Sequence, residues 1–282
     1  MNRKFIFSLF SGSLSLLCLA SSVKAETVLA KIERTGVLRV AIREDSAPFG
    51  YLDANDDLKG YCLDFFALLR EQLNDNLERD TLSIKLFKST PANRFDLVEN
   101  NTVDLECGPN TIRSNIPPNT IFSQGFLSTG TQFLVKNKNS LLFDLSLALK
   151  DLPIGVIGNT TTEQLIRDRY PSAVIQRYSG VTGRTRGVQA VVQDKIIAMG
   201  SDGILLQAEA QRQGLSSTEY SLIPNTPLTC DRYGMIIRNN DPQWQEFINS
   251  VISSPQAANL ANIWFGDLFN VNINSLDSCR SN

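Results

Sequence analysis

The stretch GVLRVAIREDSAPFGYLDANDDLKGYCLDFF, residues 36–66, decides how the rest of the chain is read. Val37, Leu38, Val40 and Ile42 form a short apolar run with partial alternation, the pattern of a buried strand. Arg43 stands at its carboxyl end, followed by Glu44, Asp45 and an apolar patch from Ala47 to Tyr51 that includes Phe49. The segment Asp53 to Asp57 is turn chemistry. After Gly60 the period becomes helical, with Cys62, Phe65, Phe66, Leu69 and Leu73 on one side. A strand that delivers a cation and aromatic rings to its carboxyl edge, then crosses into a helix, is how open α/β sheets build small-ligand sites.

Upstream, Asn2-Arg3-Lys4 is followed by an apolar run from Phe5 to Ala20 interrupted by serines, and by Val23-Lys24-Ala25. This is the form of a secretory signal peptide over residues 1–25. Its apolar core is shorter than the ~20 residues a transmembrane span needs. Ser15-Leu16-Leu17 lacks the small residue that precedes a lipoprotein cysteine, so Cys18 is not expected to carry lipid. The expected location is the periplasm. Loss of Arg3, Lys4 and Lys24 takes three of the 27 basic residues and none of the 29 acidic ones, so the net charge falls from −2 to −5. No basic cluster remains, which argues against nucleic acid or an anionic membrane surface as partner.

The chain contains no histidine. Ser-His-Asp and Cys-His mechanisms and histidine-ligated zinc are therefore excluded. Cys62, Cys107, Cys230 and Cys279 remain after the signal, an even number that suggests two disulfides with three possible pairings. Cys62–Cys279 with Cys107–Cys230 is favoured, because Cys62 and the tail belong to one lobe and the other two lie near the crossings between lobes.

Downstream, strands at Leu82–Leu86 and Val103–Glu106 and a short helix over Pro91–Asn100 continue a strand–helix–strand series, a parallel-sheet signature. Thr131 to Val135 reads as a crossing into a second series. That series has helices at Leu141–Leu149, Glu163–Arg169, Thr185–Gln193 and Gly203–Arg212. Its strands are at Ile154–Ile157, Val174–Ile175, Ile196–Met199 and Ser221–Ile223. Tyr233 to Ile237 reads as the return. Asp241-Pro242 and Ser254-Pro255 then open two amphipathic helices, the last stopping at Gly266. One rhythm repeated twice, with one excursion and one return, implies two α/β lobes with a cleft between them. The expected division is 26–130 with 236–282 for lobe 1 and 131–235 for lobe 2.

Cleft candidates sit at strand carboxyl ends and first helical turns. Arg43, Arg94 and Arg113 are guanidinium groups able to grip a carboxylate through two parallel hydrogen bonds. An ion pair with Glu44 or Asp45 is the alternative for Arg43. Gly108, Pro109 and Thr111 follow the third strand. Thr160 and Thr161 stand at a helix N-terminus, which favours an anion. Asp202 suits an ammonium group or an N-cap, and Arg184 lies in a glycine-bounded loop. Such a set matches a zwitterion carrying an extra carboxylate. Asp53-x-Asn55-x-Asp57 begins like a calcium loop, but Leu58 replaces the glycine it needs, and a solvated turn is expected.

The pattern GxLxVxxRxxxxPFxYxDxxxxLxGYxxD, with Asn93-Arg94, VDLECG over residues 103–108, Phe122-Ser123, Thr160-Thr161 with Glu163, and Asp202, resembles the extracytoplasmic solute-binding proteins of amino-acid ABC importers (family 3). It is most similar to their glutamate/aspartate-binding group. The resemblance implies a two-lobed type II periplasmic-binding-protein fold whose two crossing strands form a hinge. It implies a monomer without cofactor or metal that delivers an amino acid to an inner-membrane permease. Arg43 and Arg94 would reach the side-chain carboxylate, Thr111 and the backbone beside it the main-chain groups, and Asp202 the ammonium. Pro91 and Pro109 replace serines of these relatives, and Ile116 stands where the wider family has an arginine, with Arg113 three residues earlier. A histidine of the acidic binders aligns near Gly183-Arg184. These departures widen the expected ligands to acidic or polar L-amino acids. An enzyme on the same scaffold, dehydratase-like, would need a cleft carboxylate of raised pKa, with Glu44 and Glu106 as candidates.

Overall fold

The computed structural model describes residues 26–269. The signal-peptide segment, Cys279 and the polar tail lie outside them. The chain opens with α1 (Val28–Thr35), β1 (Val37–Ile42), a small three-stranded sheet of β2 (Asp45–Ser46), β3 (Gly50–Leu52) and β4 (Leu58–Lys59), and α2 (Tyr61–Asn76). Next come β5 (Ser83–Lys88), α3 (Arg94–Glu99), β6 (Leu105–Cys107), β7 (Thr120–Phe122) and β8 (Leu127–Thr129). The second series is β9 (Thr131–Lys136), β10 (Pro153–Ile157), α4 (Thr161–Arg169), β11 (Val174–Tyr178), α5 (Gly183–Val192), β12 (Ala198–Asp202), α6 (Gly203–Arg212) and β13 (Tyr220–Ile223). The chain returns through β14 (Asp231–Tyr233) to β15 (Ile236–Arg238), α7 (Pro242–Ile252) and α8 (Pro255–Phe269).

Two five-stranded sheets result, ordered β5-β1-β6-β15-β7 and β11-β10-β12-β9-β13. In each the βα units pair in parallel, β1 with β5 and β6, and β10 with β11 and β12. The pattern that announced β1 holds because Leu38, Val40, Ala41 and Ile42 are all buried between helices. The lobes are joined where β8 pairs antiparallel with β14, Leu127 opposite Tyr233 and Thr129 opposite Asp231. Gly130 follows at once, and a Cβ there would lie 1.8 Å from the Thr229 carbonyl, so only glycine passes.

The crossings therefore fall a few residues before the stretches expected. Thr131–Lys136 is an inner strand of the second sheet, between β12 and β13, and Ile236–Arg238 is already back in the first. The apolarity of these segments reflects burial within sheets. Residues 141–149 form turns in place of the expected helix. There Asp144 accepts the Ser146 N–H at 2.8 Å, a local bond that competes with helix, and Leu141, Leu142 and Leu147 face solvent. The last helix runs through Gly266, where a Cβ would meet open space, and reaches Phe269. Asp241 caps α7 as expected, accepting the Trp244 N–H at 3.1 Å, and also ties down α1 through the Val28 N–H at 2.6 Å.

Cys62 is bonded to Cys107, which overturns both favoured pairings, Cys62–Cys279 and Cys107–Cys230. The reason is spatial. Ile42 stands opposite Cys107 in the sheet, and α2 packs over β1, so the first turn of α2 meets the end of β6. Cys230 is itself disulfide-bonded. The bond closes a loop of 45 residues, so replacing both Cys62 and Cys107 by alanine is expected to cost about 4 kcal/mol, read as an earlier urea midpoint. An unchanged midpoint would show that the bond contributes nothing to stability.

Candidate functional site

The carboxyl ends of β1 and β6, the start of α3 and the loops beside them bring five charged side chains of the first lobe together, Arg43, Asp45, Arg94, Glu106 and Arg113. Arg43 is 2 % exposed and gives Nε and Nη2 to Asp45 in two bonds of 2.8 Å each. The pairing with Asp45 weighed from the sequence is thus made, but it is buried. Desolvation opposes the Asp45 charge, and the Arg43 guanidinium outweighs it, holding the carboxyl below its usual range. Gly108 packs closely here: a Cβ would lie 3.0 Å from Arg43 Cγ and 3.2 Å from Glu106 Oε1, so one of those side chains would have to shift by a few tenths of an ångström. Pro109 follows, half-buried.

Arg94, 4 % exposed, donates Nη1 to the Pro91 carbonyl at 2.9 Å, while its buried Nε has no hydrogen-bond partner. Burial, reinforced by the Arg43 charge, pushes its guanidinium down to about 10. Arg113 lies half-buried, 5.1 Å over the Phe95 ring, with Nη1 on the Thr111 carbonyl at 3.4 Å. Glu106 is fully buried and accepts from Ser89 Oγ at 2.7 Å and Asn110 Nδ2 at 2.6 Å. Desolvation raises its pKa against these bonds and against Arg94 and Arg43.

From the second lobe, Thr160 caps α4 by accepting the Glu163 N–H at 3.2 Å, and Glu163 accepts the Asn159 N–H at 2.9 Å. Thr161 Oγ1 lies 3.3 Å from Thr111 Oγ1, a hydrogen bond between the lobes. The glycine-bounded stretch around residue 184 is the first turn of α5 and not a loop. Arg184 there is 3 % exposed, donates Nη1 to Ser201 Oγ at 2.6 Å and leaves Nε unpartnered. Burial lowers its pKa, and the Asp45 and Arg43 charges act on it from the other lobe.

Asp202 is 5 % exposed at the end of β12. It accepts from Thr162 Oγ1 at 3.3 Å and from the Tyr233 hydroxyl of the hinge strand β14, and its side chain does not cap α6. Burial and the neighbouring Asp231 charge raise it to about 6. Phe49 packs edge-on to Tyr233 at 5.4 Å and against Phe126 and Phe265, an aromatic wall beside the hinge. Asp53 folds its own turn, accepting N–H from Asn55 and Asp57 at 2.8 and 3.0 Å and pairing with Lys59, as a solvated turn should.

Three guanidiniums, of Arg43, Arg94 and Arg184, thus act on three carboxylates, of Asp45, Glu106 and Asp202, and Arg113 acts on Arg94. The charges of Asp231 and Glu209 also act here, on Asp202 and on Arg184. Sequence reasoning named the four arginines. It missed the burial of the Arg43–Asp45 pair and the hydroxyls of Tyr233 and Ser201, whose roles depend on contacts between distant segments.

Two lobes on a two-stranded hinge, with charged groups of both converging, define a solute-binding protein of the type II periplasmic fold. The chain belongs to the bacterial extracellular solute-binding proteins, family 3, whose model matches residues 38–267. It is 28 % identical over 246 residues to the glutamate/aspartate import solute-binding protein of Escherichia coli K12, covering 87 % of this chain and 80 % of that one. It is 25 % identical to the L-glutamate/L-aspartate-binding protein of Pseudomonas aeruginosa, covering 90 % and 85 %. Its fold is also that of an ancestral amino acid-binding protein described as a precursor of cyclohexadienyl dehydratase, with TM-score 0.72 at 22 % identity, covering 85 % and 100 %. A Streptococcus pneumoniae amino acid ABC transporter substrate-binding protein bound to L-arginine gives TM-score 0.70 at 17 % identity, covering 86 % and 97 %. Among the described residues no helix is long and apolar enough to cross a membrane.

Proposed function

We propose that the protein binds an acidic L-amino acid, glutamate or aspartate, between its lobes in the periplasm and presents it to the permease of an ABC importer, without catalysis. The observation that carries this reading is the pair of buried guanidiniums, Arg94 in lobe 1 (26–130 and 236–282) and Arg184 in lobe 2 (131–235), each with Nε unpartnered. A buried cation without a carboxylate is costly, and an acidic amino acid supplies two. Its carboxylates would face these two guanidiniums, whereas a cationic side chain would bring a further cation against them. Arg94 and Arg43 would take the side-chain carboxylate, and Thr111, Arg113 and the backbone of Gly108 and Pro109 the α-carboxylate. Asp202 would hold the ammonium, with Thr160, Thr161 and Arg184 closing the second side and Phe49 walling the pocket.

Isothermal calorimetry with the twenty amino acids tests this. Glutamate and aspartate should bind at least tenfold more tightly than glutamine, asparagine or arginine. Failure of both acidic ligands, or tighter binding of arginine, would overturn it.

A second reading, a dehydratase-like enzyme, is favoured by the raised pKa of Glu106 and of Asp202, whose oxygens accept from Thr162 and Tyr233. Both Glu106 oxygens are already taken by Ser89 and Asn110, which disfavours proton transfer to a substrate. Turnover of a bound compound, followed by mass spectrometry, would reverse the preference.

A further inference from the structure

We infer that α6, with Arg212 at its end, is a clasp that holds the two lobes together without touching the solute, and so scales the affinity for every solute by one factor. The inference rests on the reading that solute binds between the lobes. Helix α6 follows β12 of the second sheet, yet its Ile204, Leu205 and Ala208 are buried in one cluster with Phe49, Tyr61 and Phe265 of the first lobe. The start of the helix is fixed at the hinge, where the Gly203 N–H meets the Gly130 carbonyl at 2.9 Å. Its last residue, Arg212, donates Nη2 to the Leu52 carbonyl at 3.0 Å and lies 4.8 Å over the Tyr51 ring. Both contacts join segments about 160 residues apart in the chain, and Leu52 and Tyr51 belong to β3 of the first lobe.

Glu209, 1 % exposed, orients the clasp by accepting Arg212 Nη1 at 3.0 Å. The Glu209 charge also acts on Arg184, so the clasp shares a field with the cleft. Geometry makes Arg212 the lever end. Ten helical residues place it about 15 Å from the hinge. A rotation about β8 and β14 moves that end far more than Gly203, so the Arg212 contacts break early in opening. Each favours the closed arrangement alone, a charge-assisted bond to a carbonyl and a cation held over an aromatic face. Apparent affinity scales with the population of the competent state, whichever solute then binds. The Arg212 side chain remains 35 % exposed, so its replacement leaves no buried hole.

The test compares the wild type with Arg212→Ala and Arg212→Lys. X-ray scattering of each protein without solute should show a larger radius of gyration for Arg212→Ala. Calorimetry should show Kd raised about fivefold to tenfold, by the same factor for glutamate, aspartate and any weaker solute that binds, mainly through faster release. Arg212→Lys, which loses the planar fork, should fall between. An unchanged radius with unchanged Kd overturns the clasp. So does a larger radius with unchanged Kd, and so does a loss confined to acidic solutes, which would make Arg212 a ligand contact. The scattering arm needs no solute, so it stands or falls apart from the assignment of glutamate or aspartate.

Discussion

Arg94→Ala and Arg184→Ala are each expected to weaken glutamate binding by about a hundredfold or more while making the solute-free protein more stable. Truncating one partner of a buried, hydrogen-bonded charge pair costs on the order of 2–5 kcal/mol of affinity. Both guanidiniums are almost fully buried and neither has a carboxylate partner among the described residues. Before solute arrives they are desolvated charges facing other cations, which is why Arg94 is pushed down to about 10. A base whose pKa is depressed on folding binds its proton less tightly in the native state. Stability therefore rises as pH climbs above about 10, and below it the folded state carries a penalty of about 3 kcal/mol at most. Alanine removes that penalty along with the side chain's packing, so the expected gain is smaller, a melting temperature a few degrees higher. Scanning calorimetry with and without glutamate reads both effects at once. A variant that melts lower and still binds glutamate at wild-type strength would reject the role of that arginine. Arg43→Ala should behave differently. Asp45 already occupies its fork, so its loss strands a buried carboxylate and lowers stability.

The parts of this molecule visible in the sequence are those set by local period and by residue type at element ends. The strand from Val37 to Ile42, the helix from Tyr61 and the cap at Asp241 were legible because each is decided within a few residues. The four arginines were legible because a cation at the end of a buried strand or start of a helix has few other uses. What could not be read was decided across the chain. Cys62 meets Cys107 only because β6 registers against β1 beneath α2, and four cysteines carry no trace of that in their spacing. Thr131–Val135 looked like a crossing because a run buried on both faces and an apolar connection share one pattern, and only pairing with β12 and β13 distinguishes them. The Leu141–Leu149 run buries Phe143 and Leu149 but leaves Leu141, Leu142 and Leu147 in solvent, so no continuous helical face is covered, and side chains bonding to their own backbone won. Asp202 stands at a strand end as its sequence position implies, but its bond to Tyr233 joins β12 to the hinge strand β14, a contact no local rule encodes.

That bond makes Asp202→Asn the second large effect, and the two halves of the result should move in opposite directions. The carboxyl rises from 3.8 to about 6 on folding, first because it is desolvated and then because Asp231 lies near. A raised carboxylate pKa means the native state holds the proton more tightly than the unfolded chain. Stability is then highest below pH 4 and falls as pH rises to about 6, reaching a penalty of about 3 kcal/mol at neutral pH. Asparagine keeps an oxygen for the Tyr233 and Thr162 hydroxyls and carries no charge to desolvate. The variant should therefore be about 2 kcal/mol more stable at pH 7, with the gap closing by pH 4, followed by urea unfolding at each pH. Binding should go the other way. An ammonium group loses its counter-charge, so glutamate affinity at pH 7 should fall about a hundredfold, and the wild type's own affinity should decline as pH drops through about 6 while the variant's stays flat. The cost of holding Asp202 ionised is the free energy that an arriving ammonium recovers, so the site is less stable alone because it is complementary to its solute. Equal stability at pH 7 and pH 4 relative to wild type, or undiminished glutamate affinity in the variant, would show that Asp202 serves the Tyr233 hinge contact and nothing else.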